Sequence, residues 1–191
     1  MAPMSFTELS SDEKQTLLDI ARQSINFGLQ HHTPLPVNTE QYSQLLQQPG
    51  ASFVTLHIHQ QLRGCIGTLE AYQPLIKDVS DHAYAAAFHD NRFPALTEQE
   101  AQNLDIHLSI LTPARAIDFH SESDLIKQLQ PGIDGLILEA EYKKGTFLPS
   151  VWETLPEPKD FLNHLKIKAG LPGHYWSDDI KISRYSTISI P

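Results

Sequence analysis

The chain has 191 residues, of which 40% are hydrophobic and 19% are charged, so it contains enough apolar material for a folded core. It carries 23 acidic and 14 basic residues, a formal net charge of -9, which disfavours a nucleic-acid partner because phosphate binding needs a surface rich in lysine and arginine. No stretch approaches the ~20 apolar residues that cross a membrane, and the N-terminus lacks a signal-peptide pattern. The single cysteine allows no internal disulfide. We therefore predict a cytoplasmic protein.

The first third of the chain predicts a helix followed by a β-hairpin. Residues 10–13 (SSDE) offer a capping box, in which a serine hydroxyl and a glutamate carboxylate satisfy free backbone groups at the start of a helix. Apolar residues then recur at helical spacing until the loop 31–36 (HHTPLP) ends the helix. Two β-rich segments, 51–59 and 62–69, flank residues 60–61 (QQ), and this pattern predicts a hairpin with a two-residue turn.

A second helix is predicted after Pro74, which fits the first turn because proline has no N–H to leave unpaired. The run of small residues at 85–87 (AAA) favours close packing of this helix against a sheet. Its predicted buried stripe consists of Leu75, Val79, His82, Ala83, Ala86 and Ala87. The segment 90–94 (DNRFP) breaks this helix.

The remaining elements mix helices and strands without a regular βαβ alternation. Thr97 and Glu100 cap a short helix. The elements that follow are a strand at 105–111, a helix at 121–130, a hairpin of 135–142 and 146–148, a helix at 159–169 and a last strand at 180–190. This order predicts an α+β fold with a mainly antiparallel sheet flanked by helices.

The densest chemical signal is the segment 62–69 (LRGCIGTL). Gly64 and Gly67 lie inside a predicted strand, where glycine weakens the sheet and marks a bulge or the close approach of a ligand or another backbone. Strand alternation places Arg63 on the same face as Cys65, and a neighbouring guanidinium favours the reactive thiolate. Arg63 and the two glycines are therefore candidate binding residues, and Cys65 is a candidate nucleophile.

The register of the hairpin decides what surrounds Cys65. With a two-residue turn at 60–61, Cys65 lies opposite Leu56 and shares a core face with Val54 and Ile58. In that register it is a packed, poorly reactive thiol. A three-residue turn reverses the face, so a role for Cys65 in ligand contact or chemistry stays open.

The same register separates the histidines from the thiol. His57 and His59 lie two residues apart on one strand face and Cys65 lies on the other, which breaks a His/His/Cys set of metal ligands. None of the ten histidines has the HxxxH spacing of zinc sites. We therefore predict no protein-bound metal.

Residues 62–67 (LRGCIG) closely resemble the signature hexapeptide of the AMMECR family, whose prokaryotic members are also called AmmeMemoRadiSam system protein A. Other blocks similar to the family lie in the family's order along nearly the whole chain: 53–56 (FVTL), 83–96, 108–112 (LSILT), 132–136 (GIDGL), 147–149 (FLP) and 168–172 (KAGLP) with Trp176. Residues 150–152 (SVW) depart from the pattern, because the family often has an amide or acid and then a small residue after the Leu-Pro pair.

The resemblance implies a single AMMECR-type domain over residues 1–191. It implies an α+β fold in which a larger part holds the RGCIG hairpin and a smaller β-containing subdomain lies beside it. It implies no particular reaction or cofactor, because the family has no settled activity. The system name associates the family with a Memo-type protein, which resembles extradiol dioxygenases, and with a radical-SAM enzyme, so it implies these two as pathway partners.

Two functions fit these residues. In the first, the protein is an enzyme component that handles a small anionic molecule in a pocket near the RGCIG hairpin. The arginines orient the molecule, the glycine backbones let it approach and the thiol contacts it. The residues of this candidate site are Arg63, Gly64, Cys65, Gly67, Asp90 and Arg92. In the second, the same surface docks a protein partner without chemistry, and Asp90 and Arg92 form an ordinary ion pair at a helix end.

Overall fold

The computed structural model describes residues 9–191, which form two compact units. The first unit extends to Leu111 and includes residues 188–191, and the second comprises Thr112–Thr187. The helices of the described part are α1 (Ser11–His31), α2 (Leu75–Phe88), α3 (Glu98–Ala101), α4 (Glu122–Gln128) and α5 (Pro158–Lys168). Its strands are β1 (Pro49–Gly50), β2 (Ser52–Ile58), β3 (Gln61–Gly67), β4 (Gln73–Pro74), β5 (Leu104–Leu111), β6 (Arg115–Ala116), β7 (Gly135–Ala140), β8 (Lys143–Phe147), β9 (Lys181–Tyr185) and β10 (Thr187–Ile190).

The pairs β2–β3, β2–β5, β7–β8 and β7–β9 are antiparallel, and helices accompany the sheet of each unit. The predicted α+β class is therefore confirmed. No helix within residues 9–191 has both the length and the apolar character that crossing a membrane requires.

A four-stranded sheet in the order β10-β5-β2-β3 forms the centre of the first unit. Alternate residues of its inner strands, including Val54, Leu56 and Leu108, are fully buried. Helices α1 and α2 pack against this apolar face and against each other. The intervening residues lie on the opposite face and are mostly polar: Phe53, Thr55, His57, Asp105, His107 and Ser109. The sheet thus has one face in the core and one face that carries polar groups.

Helix α1 begins and ends where the sequence predicts. The backbone N–H of Glu13 donates to Ser10 Oγ (3.2 Å), and the Ser10 N–H donates to Glu13 Oε2 (2.9 Å), so the capping box is formed. His32 then adopts the left-handed conformation (φ 55°), which ends the helix.

The turn of the β2–β3 hairpin lies one residue earlier than predicted. It consists of His59 and Gln60, which both have positive φ (50° and 65°), as a tight two-residue hairpin turn requires. Moving a two-residue turn by one position changes each cross-strand partner by two residues. This shift alone would leave every side chain on its predicted face.

A β-bulge in the same hairpin does change the faces. His57 pairs with Leu62, but the preceding residue, Leu56, pairs with Gly64, so Arg63 is an extra residue without a partner in β2. One extra residue reverses the face of every later residue of β3 relative to the prediction.

The second unit has its own sheet, in the order β6-β9-β7-β8. Leu136 and Leu138 of β7 are fully buried in a core that includes residues of α4 and α5. Trp152 completes this core: its ring stacks on Phe161 with centroids 3.7 Å apart, and its indole N–H donates to the Asp134 carbonyl (2.8 Å). One of the three residues that depart from the family pattern, Trp152, is therefore a core residue here.

Two predicted strand boundaries in this half of the chain are wrong. The β7–β8 turn is formed by Glu141 (φ 54°) and Tyr142, not by residues 143–145. The last strand divides at Ser186 into β9 and β10, which belong to different sheets. The Ser186 N–H and carbonyl bond instead to the Thr112 hydroxyl and N–H (both 2.9 Å), so the ladder is interrupted there.

Candidate functional site

Cys65 lies on the face of the first sheet that is turned away from α1 and α2. It pairs with Thr55, and its sulfur is 3.3 Å from Thr55 Oγ1. The residue is half-buried. The predicted core position beside Val54, Leu56 and Ile58 is therefore wrong, because the bulge shifts the register by one residue.

Cys65 is one end of a row of three side chains across the sheet. Thr55 lies opposite Cys65 on one side and opposite His107 on the other. Directly opposed side chains of neighbouring strands have Cβ atoms ~4.5–5.5 Å apart. His57 adds a second imidazole, which meets His107 edge-on with ring centroids 5.2 Å apart. We call Cys65, Thr55 and His107 the polar row; it places a thiol, a hydroxyl and an imidazole side by side.

Asp90 binds the outer edge of β3 at Cys65. One carboxylate oxygen accepts the Cys65 backbone N–H (2.9 Å) and Arg92 Nη2 (2.7 Å), and the other accepts Arg92 Nε (3.0 Å). Since β3 is an edge strand, Asp90 takes the place of a neighbouring strand for this N–H. The hydrogen bonds from Arg92 lower the pKa of Asp90 far below its usual range, against the opposing effect of burial.

Arg92 is fixed by Asp90 but remains open to solvent. Its Nη2 lies 3.4 Å from the Cys65 carbonyl oxygen, and 55% of its side chain is exposed. Within residues 9–191, the hydrogen bonds of its guanidinium are made by Nε and Nη2. The ion pair that was one of the two alternatives for these residues is formed, and it leaves 55% of the Arg92 side chain exposed.

Arg63 binds Glu100 and the loop after α2. Its Nε and Nη2 donate to the two carboxylate oxygens of Glu100 (2.8 and 3.1 Å), and Nη2 also donates to the Pro94 carbonyl (2.9 Å). These bonds lower the pKa of Glu100 to about 2. The Arg63 side chain is only 10% exposed, and its Nη1 is buried without a hydrogen-bond partner in the described part of the chain.

The two arginines meet at one aromatic ring. The guanidinium carbon of Arg63 is 5.8 Å from the centroid of Phe93, and that of Arg92 is 5.6 Å from it. Both distances are within cation–π range. We call Arg63 and Arg92 the arginine pair; it lies beside Cys65 because Arg92 binds the Cys65 backbone.

The glycines of the motif are sites of close approach inside the first unit. A Cβ at Gly64 would lie 2.1 Å from the carbonyl oxygen of Ala86 in α2. A Cβ at Gly67 would lie 2.4 Å from the ring of Phe53 and equally close to the Ser52 carbonyl oxygen. The predicted close approach is present at both positions, and packing within the unit is a sufficient reason for it.

The predicted separation of the histidines from Cys65 is wrong. His59 lies in the turn, and His57 is on the same face as Cys65 because of the bulge. Within residues 9–191, no group of three or more His, Cys, Asp or Glu side chains is arranged to hold a metal ion.

A buried polar cluster that the sequence did not predict lies on the helix-covered face. Asp78 of α2 is fully buried, accepts a hydrogen bond from Ser52 Oγ (2.6 Å) and lies 3.1 Å from His82 Nδ1. The available signal was the spacing of Asp78 and His82, four residues apart on a helical face whose other residues are mostly apolar.

The AMMECR1 family model matches residues 18–190. The chain belongs to the AMMECR1 family. A protein of Methanothermobacter thermautotrophicus is 34% identical over 188 residues, which cover 95% of each chain. A protein of Methanocaldococcus jannaschii is 35% identical over 154 residues, which cover 76% of this chain and 75% of that one. The resemblance predicted from the LRGCIG hexapeptide is thereby confirmed.

A solved structure shows the same fold. The crystal structure of an uncharacterised protein from Pyrococcus horikoshii superposes with a TM-score of 0.83 at 29% identity, covering 95% of this chain and 92% of that one.

Proposed function

We propose that this AMMECR1 protein binds a small anionic molecule at the arginine pair beside Cys65. The observation that carries the proposal is the buried Nη1 of Arg63, which has no acceptor among the residues that the structure describes. A buried donor without a partner costs ~1–3 kcal/mol, and more if it is charged. An oxyanion that accepted this hydrogen bond would recover that cost on binding.

The two carboxylates prepare the arginines for this role. Glu100 and Asp90 each accept from Nε and Nη2 of one arginine, so both guanidinium planes are fixed while both Nη1 groups remain unused. A guanidinium that is already held loses little side-chain entropy when a ligand binds. The arrangement favours a ligand with two or more oxygens on one centre, such as a carboxylate or a phosphate.

The side chains of the polar row are placed to contact the remainder of the bound ligand. Cys65 is half-buried, and its sulfur lies 3.3 Å from the hydroxyl oxygen of Thr55. We assign it the role of ligand contact. The protein acts as an enzyme component in this proposal if the bound molecule is altered at Cys65, and as an accessory module if it is only held.

Inorganic phosphate is the probe for the first experiment. The arginine side-chain ¹⁵N signals of the full chain are followed during titration with phosphate, and with chloride at equal ionic strength. We expect a saturable shift of the Arg63 and Arg92 signals, and an affinity at least ~10-fold lower in Arg92→Gln, because one charge-assisted hydrogen bond contributes ~1.5–3 kcal/mol.

Arg22→Gln is the matched control. It removes the same charge from the same unit, at a guanidinium that donates to the Leu104 carbonyl (3.1 Å), and it should leave the affinity unchanged. The proposal is wrong if phosphate moves the two signals no more than chloride does. Arg92→Lys shows whether the planar fork or only the charge is needed.

We also propose a cytoplasmic location and a pathway shared with a Memo-type protein and a radical-SAM enzyme. The support is family membership and, for the location, the composition with one cysteine. Affinity purification of the tagged full chain from its native cells should recover at least one of the two proteins above an untagged control. Recovery of neither would contradict the shared pathway without affecting the anion site.

A further inference from the structure

Two buried polar atoms of the β2–β3 hairpin have no hydrogen-bond partner. Within residues 9–191, three buried side-chain atoms lack one, and they are His57 Nδ1, Arg63 Nη1 and Ser177 Oγ. Ser177 belongs to the second unit, whereas His57 and Arg63 both lie at the β-bulge of the first. His57 pairs with Leu62, and Arg63 is the extra residue that directly follows Leu62. The bulge therefore brings these two residues to neighbouring positions on adjacent strands.

The side chains around His57 leave its Nδ1 unpaired. On β5, Asp105 lies directly opposite His57, and the ring of His107 meets the His57 ring edge-on with centroids 5.2 Å apart. Neither of them bonds to Nδ1. The hydroxyl of Thr55, the next residue on this face of β2, lies 3.3 Å from the Cys65 sulfur instead. Because Nδ1 is buried, bulk solvent does not satisfy it, and a ligand group that bonded to it would gain affinity from the pairing.

We propose that the anion bound at the arginine pair is a hydroxy acid, whose carboxylate accepts a hydrogen bond from Arg63 and whose hydroxyl bonds to His57 Nδ1. This inference rests on the proposed anion site and names the class of molecule that occupies it. A hydroxyl both donates and accepts, so it pairs with Nδ1 whether or not that nitrogen carries the proton. A carboxylate matches the planar guanidinium. One small molecule then satisfies both buried atoms, whereas a simple carboxylate satisfies only Arg63.

Two pairs of carboxylates that differ by one hydroxyl test the inference on the full chain: glycolate against acetate, and 3-hydroxypropionate against propionate. The side-chain ¹⁵N signals of Arg63 and Arg92 report binding of the carboxylate, and the ring ¹⁵N signals of His57 report contact with the hydroxyl. In at least one pair, we expect the hydroxy acid to bind ~3- to 10-fold more tightly and to shift the His57 signals, which is the contribution of one neutral hydrogen bond. The charge is the same within each pair, so the difference isolates the hydroxyl.

Two substitutions of His57 show whether Nδ1 makes the contact. His57→Phe keeps a ring against His107 but has no nitrogen, so it should bind both members of each pair equally. His57→Asn carries an amide close to the position of Nδ1 and should retain part of the preference for the hydroxy acid, which a merely structural His57 would not explain. His59→Asn is the matched control, because it removes an exposed imidazole from the turn of the same hairpin and should leave the preference unchanged.

The outcomes separate this inference from the proposed function. If the arginine signals respond but the affinities are equal within both pairs, the hydroxy-acid inference is wrong and the anion site stands. A preference that persists in His57→Phe would also overturn it, because the hydroxyl would then bind elsewhere. If neither phosphate nor any of the four carboxylates moves the arginine signals, the anion site is wrong, and this inference fails with it.

Discussion

Replacing Gly64 by alanine tests whether the contact between α2 and β3 requires a glycine. The added Cβ would lie 2.1 Å from the carbonyl oxygen of Ala86 and 3.1 Å from its carbonyl carbon. Both are backbone atoms, so no side-chain rotation can relieve the clash. Relief requires α2 to move away from the strand by about 1 Å, since non-bonded heavy atoms are attractive only beyond ~3 Å.

The cost of that movement should be near the upper end of the range for overpacked cores, which is ~1–3 kcal/mol. Ala86 and its helical neighbour Ala83 are buried, so displacing the helix also opens space elsewhere in the core. We therefore expect Gly64→Ala to lower the free energy of unfolding by ~3 kcal/mol. With a urea m-value of ~2 kcal/mol/M, the midpoint of unfolding should fall by ~1.5 M.

Urea unfolding followed by far-UV circular dichroism and by tryptophan fluorescence is the assay. Circular dichroism reports both units, whereas fluorescence reports the second unit, because both tryptophans lie in it. The loss of stability in Gly64→Ala should therefore appear in the unfolding transition followed by circular dichroism. Gly173→Ala is the control, since its nearest contact would be Ile167 at an ordinary 3.4 Å. If Gly64→Ala and Gly173→Ala both unfold within ~0.5 kcal/mol of the parent, the reasoning about backbone contact is wrong.

Three further predictions concern acid stability, the thiol and nucleic acid. Because Arg63 lowers the pKa of Glu100 to about 2, below that of an unfolded glutamate (~4.3), this pair stabilises the fold above that unfolded value and loses its effect as pH falls towards 2. Urea midpoints measured from pH 6 to about 3 should accordingly fall more steeply in the parent than in Glu100→Gln, and parallel curves would contradict this. Cys65→Ser should change the free energy of unfolding by less than ~1 kcal/mol, because a hydroxyl can replace the thiol beside Thr55, and a loss above ~2 kcal/mol in chemical denaturation would count against it. With a net charge of -9, the protein should show no salt-sensitive binding to RNA or duplex DNA in fluorescence anisotropy, and submicromolar affinity with a steep salt slope would refute that expectation.

Features set by neighbouring residues were predictable from the sequence. The capping boxes at Ser10 and Thr97 form as expected, because each needs only a hydroxyl and a carboxylate three residues apart. Family membership followed from the hexapeptide 62–67 and the blocks around it. The close approach at Gly64 was also expected, since a strand seldom tolerates glycine without a steric reason.

The candidate site was predictable in its membership but only partly in its contacts. Asp90 and Arg92 are two residues apart and form the ion pair that the sequence offered as one of two alternatives. Arg63 was expected to act on Cys65, yet it binds Glu100, a residue 37 positions along the chain. Its choice of partner depends on how the loop after α2 folds back, which local sequence patterns do not specify.

What the sequence determined by itself is the family, the α+β class and most helix ends, because these depend on composition, on spacing and on contacts within one turn. What only the tertiary structure decided is the face on which each side chain of β3 lies. Side chains alternate along a strand with a period of two, so the single extra residue of the bulge at Arg63 moves Cys65 from the core beside Leu56 to the polar row beside Thr55. The bulge itself forms where β3 must meet both β2 and α2, and that requirement exists only in the folded unit.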